Sequence, residues 1–154
     1  MSAPSPTRPL VASDPDRRGW LSLMARTAPE RLATILPDLP PHEVLRAPET
    51  GTVMVQGRIN ATGAPFNIGE VTVTRCALRL PCGTVGHGHV QGRSHAHAGR
   101  AAAIDALMQT PEAARLAPLL EGLRAETHAA RTTRAAKAAA TRVEFFTLQR
   151  GEDA

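Results

Sequence analysis

The chain has 154 residues and a formal net charge of +4, and although 42% of it is hydrophobic, 27 residues are Ala and only 31 are Leu, Ile, Val or Phe. That fifth lies near the composition at which chains stop closing a core alone, which argues against a self-sufficient enzyme built around a large core. The basic excess is almost entirely Arg, 17 of 18 residues, and a planar guanidinium suits phosphorylated small molecules as well as nucleic acid.

Residues 1–13 read as a polar, Pro-containing tail, and 14–154 as a single domain. The amino terminus offers no apolar stretch of the kind a signal peptide needs, and no run of about 18 apolar residues occurs, so a cytoplasmic protein without a membrane span is expected. Asp14, Pro15 and Asp16 form a helix start, with Asp14 as the N-cap. A helix from there to about Arg26 would bury Trp20, Leu23 and Met24. Pro29 and Glu30 open a second helix in which Leu32, Ile35, Leu36 and Leu39 recur at helical spacing, with Pro40 and Pro41 as the stop.

The pattern then changes to period two. Thr52 to Ile59 alternates Val53, Val55 and Ile59 with Met54, Gln56 and Arg58, which predicts a strand with one wet face. Asn60 to Pro65 reads as a hairpin loop. Val71 to Leu80 is the strongest strand, but Val71 and Val73 are odd whereas Cys76, Leu78 and Leu80 are even, so a bulge near Thr74 or Arg75 is expected. Arg75 and Arg79 share the opposite face. Thr84 to Gln91 forms a third strand with Val85, His87, His89 and Gln91 on one side. Cys76 and Cys82 lack metal-ligand spacing and read as reduced, mostly buried residues.

Helical spacing returns near Ser94, with Ala101, Ile104, Leu107 and Met108 as a buried stripe. Thr110, Pro111 and Glu112 mark another start, followed by Leu116, Leu119, Leu120 and Leu123. Ala125 to Arg142 contains no large aliphatic residue, so it should be an Ala-rich helix with little to bury. Val143 to Leu148, VEFFTL, predicts a final strand with Phe145 and Phe146 on opposite faces. Such a strand needs cover on both sides, which makes Val143, Phe145, Phe146 and Leu148 a candidate partner interface. The fold class expected is α+β: a small antiparallel meander flanked by N-terminal helices and a long C-terminal helical region, ending in a short strand.

Three stretches carry chemical potential. GHGHVQGRSHAH, from Gly86 to His97, holds His87, His89, His95 and His97; four imidazoles could bind zinc or a similar metal, but no nearby Cys or carboxylate completes a familiar set, and surface or partner-contacting histidines fit better. Gly92, Arg93 and Ser94 precede a helix, where free amides and a guanidinium fork favour a phosphate. Arg124, His128, Arg131, Arg134 and Lys137 form a basic helical stripe without interleaved aromatics, which fits a solvated face better than nucleic-acid stacking. No Walker loop, GxSxG, paired acidic motif or CxxC is present in the sequence.

Several ordered segments resemble one family. EVLRAPETGTVMVQGR (43–58), PFNIGEVTVTRCALRL (65–80), GTVGHGHVQGR (83–93), HAGRAAAIDALMQ (97–109) and RVEFFTLQRG (142–151) are similar to the G subunit family, PhnG, of the bacterial carbon-phosphorus lyase system. The resemblance implies a non-autonomous subunit that assembles with PhnH-, PhnI- and PhnJ-type subunits and works with a PhnL-type ATPase-like protein. With the PhnI- and PhnH-type subunits and the PhnL-type protein, such a subunit displaces adenine from ATP with methylphosphonate, giving alpha-D-ribose 1-methylphosphonate 5-triphosphate for organic phosphonate catabolism, and the PhnJ-type subunit breaks the carbon-phosphorus bond later. It implies no cofactor and no metal on this chain, with ATP and phosphonate as substrates of the assembly. Candidate phosphate contacts are then Arg93, Ser94, His97, Arg75 and Arg79. Where the family commonly carries acidic residues after Gly-Arg and His-Ala, this chain has Ser94 and Gly99. Aromatic residues are usual in the family where His87 and His89 stand, which argues against a metal role for them. The alternative reading is a small basic nucleic-acid-binding domain.

Overall fold

A computed structural model describes residues 15–59 and 62–142 of the chain. These form α1 (Pro15–Arg26), α2 (Pro29–Ile35), β1 (Glu43–Arg58), β2 (Pro65–Arg79), β3 (Val85–Gln91), α3 (His95–Leu107) and α4 (Ala113–Ala140). The strands pair in the order β1-β2-β3, each antiparallel to its neighbour. This is the α+β meander with flanking helices that the hydrophobic periods predict. Asp14, the 1–13 tail and the VEFFTL segment with Val143, Phe145, Phe146 and Leu148 lie outside the described residues.

The chain divides into two units, Met1–Leu120 and Glu121–Ala154. In the first, the core forms between the sheet and α3. Register between β2 and β3 is unbroken from Val73↔Gln91 to Arg79↔Val85. Residues 74, 76, 78 of β2 therefore share a face with Val90, Gly88 and Gly86, and that face turns to α3. A Cβ on Gly86 would collide with the carbonyl oxygen of Ala102 and the amide of Ala106, and one on Gly88 with the carbonyl oxygen of Ala98. The alternating glycines thus let backbone approach backbone, and Ala98, Ala102 and Ala106, four residues apart along α3, supply the matching small surface. Ala98, Ala101, Ala102, Ala103, Ile104 and Ala106 are all buried. A core rich in Ala closes by proximity of backbones rather than by side-chain volume.

Four expectations are corrected. α2 ends at Ile35, about a turn before Leu39, which is 42% exposed. Leu36 precedes Pro37 and adopts φ −133° and ψ 82°, as a residue before proline is driven out of the helical region. The Arg100 guanidinium then donates to the freed carbonyls of Leu36 and Pro37 at 3.3 and 3.4 Å. The bulge expected near Thr74 is absent from β2. Register shifts instead fall between Val44 and Arg46, between Arg46 and Glu49, and between Val55 and Gln56. Val73 and Cys76 are both buried although they lie on opposite faces of β2, so no single face collects them. Cys76 is buried, but Cys82 is exposed in the β2–β3 turn, where its Sγ lies 3.3 Å from the Thr84 hydroxyl. Finally, β1 and β2 are longer than the alternation suggested, and Val53, Met54 and Val55 are all exposed, so both faces of β1 are wet there.

In α4, Leu116 and Leu120 are buried whereas Leu119 is 45% exposed. Within the second unit the helix continues through residues 121–140, and every residue from Arg124 to Ala140 is exposed. The stretch contributes helix propensity and charge rather than core.

Candidate functional site

The odd-numbered face of the sheet carries the polar chemistry. Arg75 pairs across the strands with His89 and Glu49, Ala77 with His87 and Arg46, and Arg79 with Val85 and Glu43. Opposite residues of an antiparallel pair share a face, so Arg46, Arg75, Arg79, His87 and His89 make one basic surface with Glu43 and Glu49 among them. The carboxylates are engaged: Glu49 Oε2 lies 2.7 Å from an Arg46 guanidinium nitrogen and 3.6 Å from Arg75 Nε, and Glu43 lies 3.6 Å from Arg79 Nε. The Arg46 hydrogen bond and charge, then the Arg75 charge, hold Glu49 below its ordinary carboxylate range. All of these groups are about half exposed, so the pairs orient the guanidiniums without contributing much stability. Because carboxylates already occupy one side of Arg75 and Arg79, an incoming anion would meet oriented, partly neutralised cations.

A second cationic feature lies just past the end of β3. Gly92 turns the chain with φ +94°. Its carbonyl accepts from the Thr74 hydroxyl at 2.7 Å, and its amide donates to the Thr72 carbonyl at 2.9 Å. Thr50 on β1 sits 3.1 Å from Thr74 and 3.4 Å from His95 Nε2. Ser94 caps α3, its Oγ accepting from the His97 amide at 3.2 Å. Arg93 is exposed beside this cap. The loop is therefore pinned to all three strands, with an exposed guanidinium at a helix end that favours negative charge.

The sequence-derived candidates thus separate into three places. Arg75 and Arg79 share the sheet face. Arg93 and Ser94 form the loop next to it, beyond the Val73↔Gln91 pair. His97 is apart from both: it is 2% exposed, and its Nε2 lies 3.1 Å from the Met24 carbonyl oxygen, so it joins α3 to α1 inside the core. The carbonyl only accepts, so Nε2 carries the proton, and Nδ1 is buried without a partner. The four imidazoles do not gather. His87 and His89 are on the open sheet face, His95 at the start of α3 and His97 in the core. Among the described residues no group of three or more His, Cys, Asp or Glu is placed to hold a metal ion.

Sequence reasoning missed Asp105. Asp105 is fully buried on α3 and accepts from Arg17 Nε at 3.1 Å, the Arg17 terminal nitrogen at 2.7 Å, Trp20 Nε1 at 2.9 Å and the His87 amide at 2.9 Å. One carboxylate thereby fastens α1 and β3 to α3. The sequence signal was present, an acid inside the stripe AAAIDAL, but its donors lie up to 88 residues away. The buried charged or imidazole side chains among the described residues, Asp105 and His97, are thus committed to bonds between elements.

The family described as phosphonate metabolism protein PhnG matches residues 15–151. The chain belongs to the PhnG family. It is 43% identical over 141 residues, 89% of this chain and 90% of the relative, to the alpha-D-ribose 1-methylphosphonate 5-triphosphate synthase subunit PhnG of Rhizobium meliloti (strain 1021). The PhnG match takes in every described helix and strand, including the Asp105 fastening and the Gly86 and Gly88 contact.

Proposed function

We propose that this chain is the G-type subunit of an alpha-D-ribose 1-methylphosphonate 5-triphosphate synthase, acting in the cytoplasm with PhnI-, PhnH- and PhnJ-type subunits and a PhnL-type ATPase-like protein. The observation that carries the reading is the 43% identity to a named synthase subunit across 89% of the chain. ATP and methylphosphonate are substrates of the assembly, adenine is released, and this chain brings no cofactor or metal. Its contribution is to support a site whose reacting groups stand largely on other subunits. Arg75, Arg79 and Arg93, with Ser94 at the α3 cap, are the candidate contacts for a triphosphate or phosphonate, since guanidiniums bind such oxyanions bidentately. His97 acts on them through the seating of α3. Val143, Phe145, Phe146 and Leu148 are kept as a candidate interface.

The test is reconstitution. Adenine release from ATP and methylphosphonate should require this chain in the mixture, and Arg93→Ala should raise the KM for ATP or phosphonate. Full activity without the chain overturns the reading. Salt-dependent binding of DNA or RNA by the chain, with no effect on adenine release, would favour the nucleic-acid alternative.

A further inference from the structure

β3 covers β2 only from Val73 to Arg79. Beyond it, Gly51–Arg58 and 65–72 continue as a two-stranded arm, with pairs Val53↔Val71, Met54↔Glu70, Val55↔Gly69 and Gly57↔Phe66. An isolated ribbon of two strands is marginally stable in water. This one is also apolar on both faces. Alternation puts Val53 and Val55 on one side and Met54 on the other, and all three are exposed, as are Ile59, Phe66 and Ile68, the last two at 45% and 63%. Six of the ten exposed large hydrophobic residues among the described ones lie on this arm or at its tip. Between Thr50 and Val71 the only charged residues are Arg58 and Glu70, and Arg58 is turned back onto the Gly63 carbonyl at 3.0 Å. The outer edge of β1 runs in register from Glu49 to Val55, between the register shifts at Arg46/Glu49 and Val55/Gln56, and carries no Lys or Pro over that stretch.

We infer that the arm is held in a largely apolar cleft of a different subunit of the synthase, one that closes on both of its faces and meets Glu70 with a polar or cationic group; this rests on the function proposed above. The dimensions separate this occupant from a second copy of the chain. Eight residues at about 3.3 Å each make an arm about 26 Å long and, with two strands, about 10 Å wide, or roughly 260 Å² per face. Specific interfaces bury about 800 Å² on each partner. Two copies stacked face to face would cover one face each, a third of that amount, and leave the other apolar face in water. A cleft closing over both faces and the β1 edge doubles the contact or better, and the arm calls for a largely apolar lining with a cationic or hydrogen-bonding group opposite Glu70, which pairs across from Met54.

The experiment places a photo-crosslinking amino acid at Met54 in the full chain, co-expressed with the PhnI-, PhnH- and PhnJ-type subunits. A parallel variant, Met54→Glu with Ile68→Glu, tests the contact energetically. Expected are a crosslink to a non-identical subunit and at least a tenfold loss of co-purification for the double variant, whose helical circular dichroism stays unchanged. A crosslink to a second copy, or no crosslink in an assembly that forms, overturns the cleft while leaving the subunit reading intact. Retained co-purification of the double variant does the same. Failure of the unmodified chain to assemble with any of these subunits overturns both.

Discussion

At the scale of single residues, two buried side chains decide how the helices meet the sheet. Asp105 accepts four hydrogen bonds from α1 and β3. Removing it leaves the Arg17 guanidinium and the Trp20 N–H without their acceptor, and breaking such a buried pair costs about 3 to 5 kcal/mol. Asp105→Ala should lower the melting temperature by more than about 6 °C, read by circular dichroism; a change within error would show that the network is not what fastens α1. His97 provides a pH signature. Burial pushes its pKa below the ordinary imidazole value, against smaller opposing effects of the Met24 carbonyl and Glu30. As pH falls through about 6.5 the unfolded chain takes up the proton first, so stability present above that pH declines toward the lower folded pKa. Protonating Nδ1 would also create a buried N–H with no acceptor. His97→Gln, which keeps a donor for Met24, should flatten the fall in melting temperature between pH 7 and pH 5; an unchanged slope would assign the acid sensitivity elsewhere.

At the scale of elements, glycines make the sharpest contrast. Gly86→Ala sets a methyl against the Ala102 carbonyl, backbone that cannot move alone, whereas Gly57→Ala meets only the Ile68 side chain, which can rotate away. Overpacking of the first kind costs about 1 to 3 kcal/mol or more. Thermal unfolding should therefore separate the two variants by several degrees, and equal losses would refute the close approach of α3 to β3. Much of this layer was legible beforehand. Proline and caps announced α1, and alternation announced the meander and the shared face of Arg75 and Arg79. What alternation could not reveal was why Gly86 and Gly88 recur, since parity alone does not say which face meets a helix carrying Ala98 and Ala102. Pro37 ended α2 early because a local backbone clash outweighed the Leu39 position in the apolar stripe. The two shifts beside the β3 pairing put their extra residue in β1 because β2 is pinned in register there on its β3 side, whereas the third, at Ile68, falls in β2 beyond the reach of β3.

At the scale of the whole molecule, the shortage of large apolar residues has a different resolution from a uniformly weak core. Around α3 the core closes with Ala and Gly at short range, while Val53, Met54, Val55, Phe66 and Ile68 stand outside it on the arm. Period-two patterning in Thr52 to Ile59 predicted one wet face; the exposed opposite face is where a strand written for a partner looks, in sequence, like a strand written for its own core. The candidate anion contacts divide similarly. Arg75 and Arg79 were found by parity and Arg93 by its place before a helix, but His97 shares their motif region while lying in the core, because helical phase turns it inward toward Met24.

The central claim is that this chain functions as one part of a larger assembly, and size-exclusion chromatography of the chain co-expressed with a PhnI-type subunit tests it most directly. Co-elution in a single peak at a mass above that of either protein is the expected result. Separate elution of the two, each folded, would contradict it.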